Sequence, residues 1–186
     1  MQRLRVSLSS DGPALIFGGS FDPPTQAHYK LPALAAERLG ASRLIYVPAA
    51  VSPHKSASPP VSPVHRLEML RLSVPEGAEI DTQELDRQGL SYMIDTLESL
   101  RAEISSTIGM RLLIGTDQAV AFHRWHRWQD ILAIAQPAVM LRGSQDIEPL
   151  LQDIEVAQGS GQGDRWRTWM LDLPQMSQSS TAARDH

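Results

Sequence analysis

A chain of 186 residues with 42% hydrophobic and 20% charged side chains has the length and composition of one soluble globular domain, which excludes disordered, collagen-like and fibrous readings. Its net charge of −4 gives no broad basic surface for a nucleic-acid backbone but leaves room for a local pocket that binds a small anion. It has no cysteine, so disulfide frameworks, thiolate metal sites and cysteine nucleophiles are excluded, and no apolar run approaches the ~18 residues of a membrane span or the ~7–15 of a signal-peptide core, so a cytoplasmic protein without a membrane partner is expected.

Residues 1–13 read as a polar lead ending in the turn signal Asp11-Gly12-Pro13. The first strand is Ala14-Leu15-Ile16-Phe17, and its continuous apolar character suggests burial on both faces. A helix over 27–39 follows from the spacing of Leu31, Leu34, Ala35 and Leu39, with Pro32 as an irregularity and Gly40 as its stop. Leu44-Ile45-Tyr46-Val47 is a second buried strand. Residues 48–63 carry Pro48, Pro53, Pro59, Pro60 and Pro63, too many for a helix or central strand, and are expected to form a lid loop.

Further helices are expected over 64–73, 91–104, 117–123, 128–135 and 147–157, and further strands near 78–82, over 112–114, over 138–141 and over 168–173. Residues 158–165 read as a flexible polar connection and 174–186 as a tail. Strands alternating with helices define an α/β class: a single domain with a doubly wound, mostly parallel, Rossmann-like sheet and helices on both faces. In such a sheet the ligand site lies beyond the carboxyl ends of the strands, where the strand order reverses.

Four segments fall at strand ends. The first, Gly18-Gly19-Ser20-Phe21-Asp22-Pro23-Pro24-Thr25-Gln26-Ala27-His28, follows the first strand and opens a helix. Paired glycines let a backbone approach an anion closely, a helix N-terminus directs N–H groups at it, and Thr25 and His28 share one face of the first turn. Neither a P-loop nor a dinucleotide fingerprint is present. Taken singly, each residue has a structural alternative. His28 could cap its helix, Lys55 could be a solvated loop charge, Asp117 could cap the helix after Gly115, and Trp125 could share a core face with Trp128. His123 and His126 stand three apart but have no third ligand at metal spacing.

These motifs together resemble the nucleotidyltransferase superfamily with the H/T-x-G-H motif, and within it the bacterial nicotinate-mononucleotide adenylyltransferases. The resemblance covers about residues 14–142 and 179–184. It is carried by GGSFDPPTQAH at 18–28, Pro53-His54-Lys55, Arg66-Leu67-x-Met69-Leu70, the run from Glu84 to Leu97 containing Ser91-Tyr92-Met93, Ile114-Gly115-x-Asp117-Gln118, the Phe122–Trp128 segment and Ser179-Ser180-Thr181-Ala182-Ala183-Arg184.

The resemblance implies transfer of AMP from ATP to a pyridine mononucleotide with release of pyrophosphate, Mg²⁺ accompanying ATP, and no covalent intermediate. It implies that His28 and Thr25 hold the α-phosphate and that Lys55 and Arg184 act as cationic clamps. Gly18, Gly19, Ser20, Phe21, Gly115, Asp117, Ser179, Ser180 and Thr181 would line the ATP site. Asp22, Ser91, Tyr92, Met93 and Trp125 would line the pyridine-mononucleotide site, with Trp125 stacking on the ring.

Thr25 stands where nicotinate-specific relatives usually have histidine, Ala27 where they have glycine, and Met93 where they usually have threonine. A different acceptor, nicotinamide mononucleotide or phosphopantetheine, and a non-catalytic nucleotide-binding relative are the alternative readings.

Overall fold

The run Ala14–Phe17 is buried on both sides because β1 (Ala14–Gly19) lies at the centre of the sheet. In the computed structural model, which describes residues 4–50, 62–87, 91–141 and 145–174, β1 is flanked by β2 (Arg43–Pro48) and β4 (Met110–Gly115). Outside β2 lies β3 (Glu79–Ile80), and outside β4 lie β5 (Gln136–Met140) and β6 (Met170–Leu171). The order is β3-β2-β1-β4-β5-β6 and every pairing is parallel. The expected doubly wound, Rossmann-like sheet is therefore present, with its order reversing at β1.

Alternation of side chains along the strands divides the core in two. On one face Leu15, Phe17, Leu44 and Tyr46 meet α1 (Gln26–Arg38) and α2 (Pro63–Ser73) through Ala33, Ala35, Ala36 and Leu70. On the other, Ile16, Ile45, Leu112 and Ile114 meet α4 (Met93–Glu103), α6 (Trp128–Ile134) and α7 (Glu148–Gln158). The single turn α3 (Gln83–Asp86) and the short α5 (Thr116–Ala121) and α8 (Gln162–Arg167) complete the helices. Gly12 closes the turn before β1 against the Gly40 carbonyl, where a β-carbon would fall 1.5 Å from that oxygen, so no larger residue fits.

The structure departs from expectation in three places. Val6, within the polar lead, is buried with the α1-side cluster, its N–H donating to the Glu76 carbonyl at 3.1 Å; Leu4, Val6 and Leu8 alternate with polar residues, a period of two that fits the extended backbone found there. The turn α3 at 83–86 was not expected. The segment 158–165, read as a flexible connection, contains the start of α8. Its glycines are held by the Glu155 carboxylate, which accepts from Gly161 N–H at 2.7 Å and Gly163 N–H at 2.6 Å. Behind them Trp166 is fully buried, edge-on to Phe122 and Trp169, its indole N–H donating to Gln158 Oε1 at 2.9 Å. Pro32 sits inside α1, where it withholds one backbone donor but buries its ring.

Candidate active site at the β1–β4 seam

The two neighbours of β1 do not follow it equally far. Pairing with β2 runs from Ala14↔Arg43 to Gly19↔Pro48, whereas pairing with β4 stops at Ile16↔Leu112. Beyond Ile16 the strands diverge, and the crevice opens at the point of reversal, which is where an α/β sheet binds its ligand.

On the α1 side of this crevice the chain turns sharply at Phe21, which has φ +47. A left-handed conformation costs a non-glycine residue roughly 1–2 kcal/mol. Burial of the Phe21 ring to 1% exposure, edge-on to Phe17 at 5.6 Å, offsets it. The chain then enters α1 with Thr25 as N-cap. His28, at the third helical position, reaches back so that its Nδ1 accepts the Thr25 N–H at 2.9 Å, with Thr25 Oγ1 also 2.9 Å from that nitrogen. A backbone N–H can only donate, so in the neutral ring Nδ1 is unprotonated and the proton lies on Nε2. His28 is half-buried, held against the Phe21 and Phe17 rings. The capping alternative and the functional reading thus coincide: the cap fixes the tautomer that makes Nε2 a donor. Thr25 and Asp22 are both buried.

Arg66, one of the motif residues, is the feature whose role sequence reasoning missed. It lies on the first turns of α2, is 1% exposed, and donates from Nη1 to the Ser20 carbonyl at 2.6 Å and from Nη2 to the Ala49 and Ala50 carbonyls at 2.8 and 3.1 Å. Burial lowers its pKa, and the nearby Asp22 charge opposes that shift. The loops after β1 and β2 are also joined directly by the Ala49 N–H donating to the Gly19 carbonyl at 2.9 Å.

On the opposite face, the segment Ser91–Met93 reaches the glycine loop. The Met93 terminal methyl lies 2.8 Å from where a β-carbon on Gly18 would stand, so the absence of a side chain at 18 is what seats it. Tyr92 is the N-cap of α4, 40% exposed, with its ring 4.4 Å from that of His126. Ser91 Oγ donates to the Glu84 carbonyl at 3.4 Å. Behind the segment, Thr96 Oγ1 donates to Glu84 Oε1 at 2.8 Å and accepts from Arg87 Nη1 at 3.2 Å. Burial raises the Glu84 pKa, against the Thr96 hydrogen bond and the Arg87 charge, which lower it.

Trp125 is half-buried and stacked on Phe122 at 5.0 Å, with Trp128 packed against the same core. Both readings of Trp125 thus keep a foothold: one face belongs to the core and part of the ring remains accessible. His123 Nδ1 is bonded to the Val120 carbonyl at 2.9 Å, and His126 pairs with Tyr92, so the two histidines do not converge. The Tyr92–His126 pair was invisible in sequence, where no spacing rule connects positions so far apart.

At the end of β4, Gln118 Oε1 accepts the Gly115 N–H at 3.1 Å, so Gln118, not Asp117, caps α5 in this way. Asp117 is exposed in the first turn, where the helix dipole favours its charge. Among the described residues no group of three His, Asp or Glu could hold a metal ion. Lys55, Ser179, Ser180, Thr181 and Arg184 lie outside the described residues.

Fold and seam together define a doubly wound α/β protein whose candidate site lies at the strand-order reversal. The chain belongs to the cytidylyltransferase-like family, whose model matches residues 16–186. It is 36% identical over 135 residues to a Marinobacter nauticus protein named "Probable nicotinate-nucleotide adenylyltransferase", covering 72% of this chain and 62% of that one. A Methylococcus capsulatus protein of the same name is 38% identical over 137 residues, covering 72% and 64%. The chain thus spans less than two thirds of the length of these curated relatives. Among solved structures, Plasmodium falciparum nicotinic acid mononucleotide adenylyltransferase complexed with NaAD superposes with a TM-score of 0.70 over 94% of this chain and 83% of that one. At 17% identity that likeness establishes the fold.

Proposed function

We propose that this protein is an adenylyltransferase of NAD biosynthesis that transfers AMP from ATP to nicotinate mononucleotide and releases pyrophosphate. The observation that carries the reading is the convergence on one seam of the His28–Thr25 cap and the Ser91–Met93 segment, one suited to a phosphate and the other to the ring substituent of an acceptor. The names of the relatives, and the NaAD bound in the Plasmodium structure, support the same reaction.

In this reaction the acceptor's phosphate oxygen attacks the α-phosphorus in line, the bond to the bridging oxygen breaks, and pyrophosphate leaves. The nucleophile is already an anion, so no general base is required. The protein aligns the two phosphates and stabilises the charge of the transition state. His28 donates its Nε2–H to an oxygen of the α-phosphate, and the N-terminus of α1 adds its field. Lys55 and Arg184 supply cationic contacts to the departing pyrophosphate, with Ser179, Ser180 and Thr181 alongside. Asp117 accepts from a ribose hydroxyl, and the accessible part of Trp125 stacks on the pyridine. The first-turn amides of α4, beside Tyr92, face the carboxylate. Mg²⁺ bound to ATP would offset phosphate charge as part of that substrate.

A second acceptor, the nicotinamide mononucleotide, is favoured by one observation: Met93 presents a thioether methyl at Gly18, without the hydroxyl donor that would single out a carboxylate. The deciding experiment is pyrophosphate release with ATP, Mg²⁺ and, in turn, nicotinate mononucleotide, nicotinamide mononucleotide and phosphopantetheine. Release with nicotinate mononucleotide at the higher kcat/KM is expected. Release only with phosphopantetheine would overturn the acceptor, and no release with any acceptor would overturn the transfer reaction.

A further inference from the structure

We infer that Arg66 is a positioning residue that sets the backbone of the nucleotide-binding loop from behind, by taking the carbonyl oxygens of the loops after β1 and β2 onto one buried guanidinium. The inference rests on the proposed adenylyl transfer.

A loop that receives an anion must present N–H groups to it and turn its carbonyl oxygens elsewhere. Peptide planarity links the two requirements, because in a trans peptide the C=O and the following N–H point in opposite directions. With the Ser20 oxygen on Arg66 Nη1, the Phe21 N–H is directed away from the guanidinium. With the Ala49 oxygen on Nη2, the same holds for the Ala50 N–H. The Ala50 oxygen, also on Nη2, is turned inward in the same way.

Three carbonyls from two loops therefore share one cation that is itself withdrawn from solvent. The planar fork reaches them from two separate nitrogens, a span that the single nitrogen of a lysine ammonium lacks. The left-handed Phe21 backbone follows directly after the Ser20–Phe21 peptide. Its conformation is thus braced on one side by its own buried ring and on the other by Arg66. An arginine guanidinium keeps its charge in a protein, so the donors that hold the three carbonyls are all present.

The test compares wild type, Arg66→Met and Arg66→Lys for kcat, KM for ATP and for the mononucleotide, ATP affinity by calorimetry, and melting temperature. Arg66→Met is expected to lower kcat by about 10²–10³-fold, the loss typical of a misdirected oxyanion donor, and to weaken ATP more than the mononucleotide. Millimolar methylguanidinium is expected to restore part of the Arg66→Met turnover, and Arg66→Lys to fall between the two enzymes. A merely structural role predicts loss of activity in proportion to the unfolded fraction, equal effects on both substrates and no guanidinium rescue. That result would overturn the inference, as would a folded Arg66→Met with wild-type kinetics. If Arg66→Met does not fold, Arg66→Lys carries the comparison, and equal kcat and KM in Arg66→Lys and wild type would overturn it. If the wild type binds ATP but transfers no AMP, the reaction fails while ATP affinity still decides the inference: unchanged affinity in the variants overturns it, and a selective loss supports it. No ATP binding by the wild type would overturn both.

Discussion

His28 does two things with two nitrogens. Nδ1 accepts from the Thr25 backbone, which leaves the proton of the neutral ring on Nε2, the donor that the proposed reaction directs at the α-phosphate. His28→Ala is therefore expected to lower kcat by about 10²–10³-fold and to lose about 0.5–2 kcal/mol of stability through the cap. Steady-state kinetics and thermal unfolding of the same preparation separate the two, and unchanged turnover would remove His28 from the chemistry. Glu84 offers a test by pH. Its folded-state pKa is raised, chiefly by burial, so on raising the pH the unfolded chain ionises there before the folded one does. Its stabilising contribution is therefore full below the unfolded value and lost as pH rises through the folded one. Glu84→Gln keeps an acceptor for the Thr96 hydroxyl and removes the ionisation. The variant should gain on wild type over the pH interval that opens at the ordinary glutamate value of about 4.3 and extends upward from it. A stability difference that stays constant over that interval would show that Glu84 does not titrate abnormally.

The strands β1, β2, β4 and β5 could be read from sequence because a parallel strand covered on both faces is a continuous apolar run. The loop Gly18–His28 could be read because its parts are adjacent in the chain. What could not be read was assembled across the chain. Arg66 stands in an ordinary amphipathic stretch, and only its carbonyl partners, from positions 20 to 50, mark it as buried. The link from Thr96 to Glu84 joins two separate helices. Composition misled at 158–165, where Gly161 and Gly163 looked like linker residues but serve as donors to Glu155. Those two backbone hydrogen bonds hold the Glu155 carboxyl below its ordinary pKa. Their contribution is accordingly present above that ordinary value and lost as pH falls through the depressed one. Glu155→Ala should release the start of α8, and amide exchange at Gly161 and Gly163 should quicken by at least about tenfold. Unaltered exchange would mean that Trp166 alone holds the helix down.

At the scale of the whole molecule, β1 is the strand on which everything else is built, since it carries Leu15 and Phe17 into one core and Ile16 into the other. Its two pairings are made over very different lengths of chain. The pairing with β2 closes only α1, while Ala14 meets Met110 across α1, β2, α2, β3, α3 and α4. Contacts of high sequence separation are costly to close and tend to form late in folding. The β1–β4 seam does not exist until this long-range closure is made. A nucleotide that binds there should therefore leave the refolding rate nearly unchanged and slow unfolding in proportion to its affinity. Stopped-flow chevrons with and without ATP would read this directly. If ATP accelerated refolding as strongly as it slowed unfolding, the β1–β4 seam would already be closed in the transition state, and the ligand site would belong to the folding nucleus.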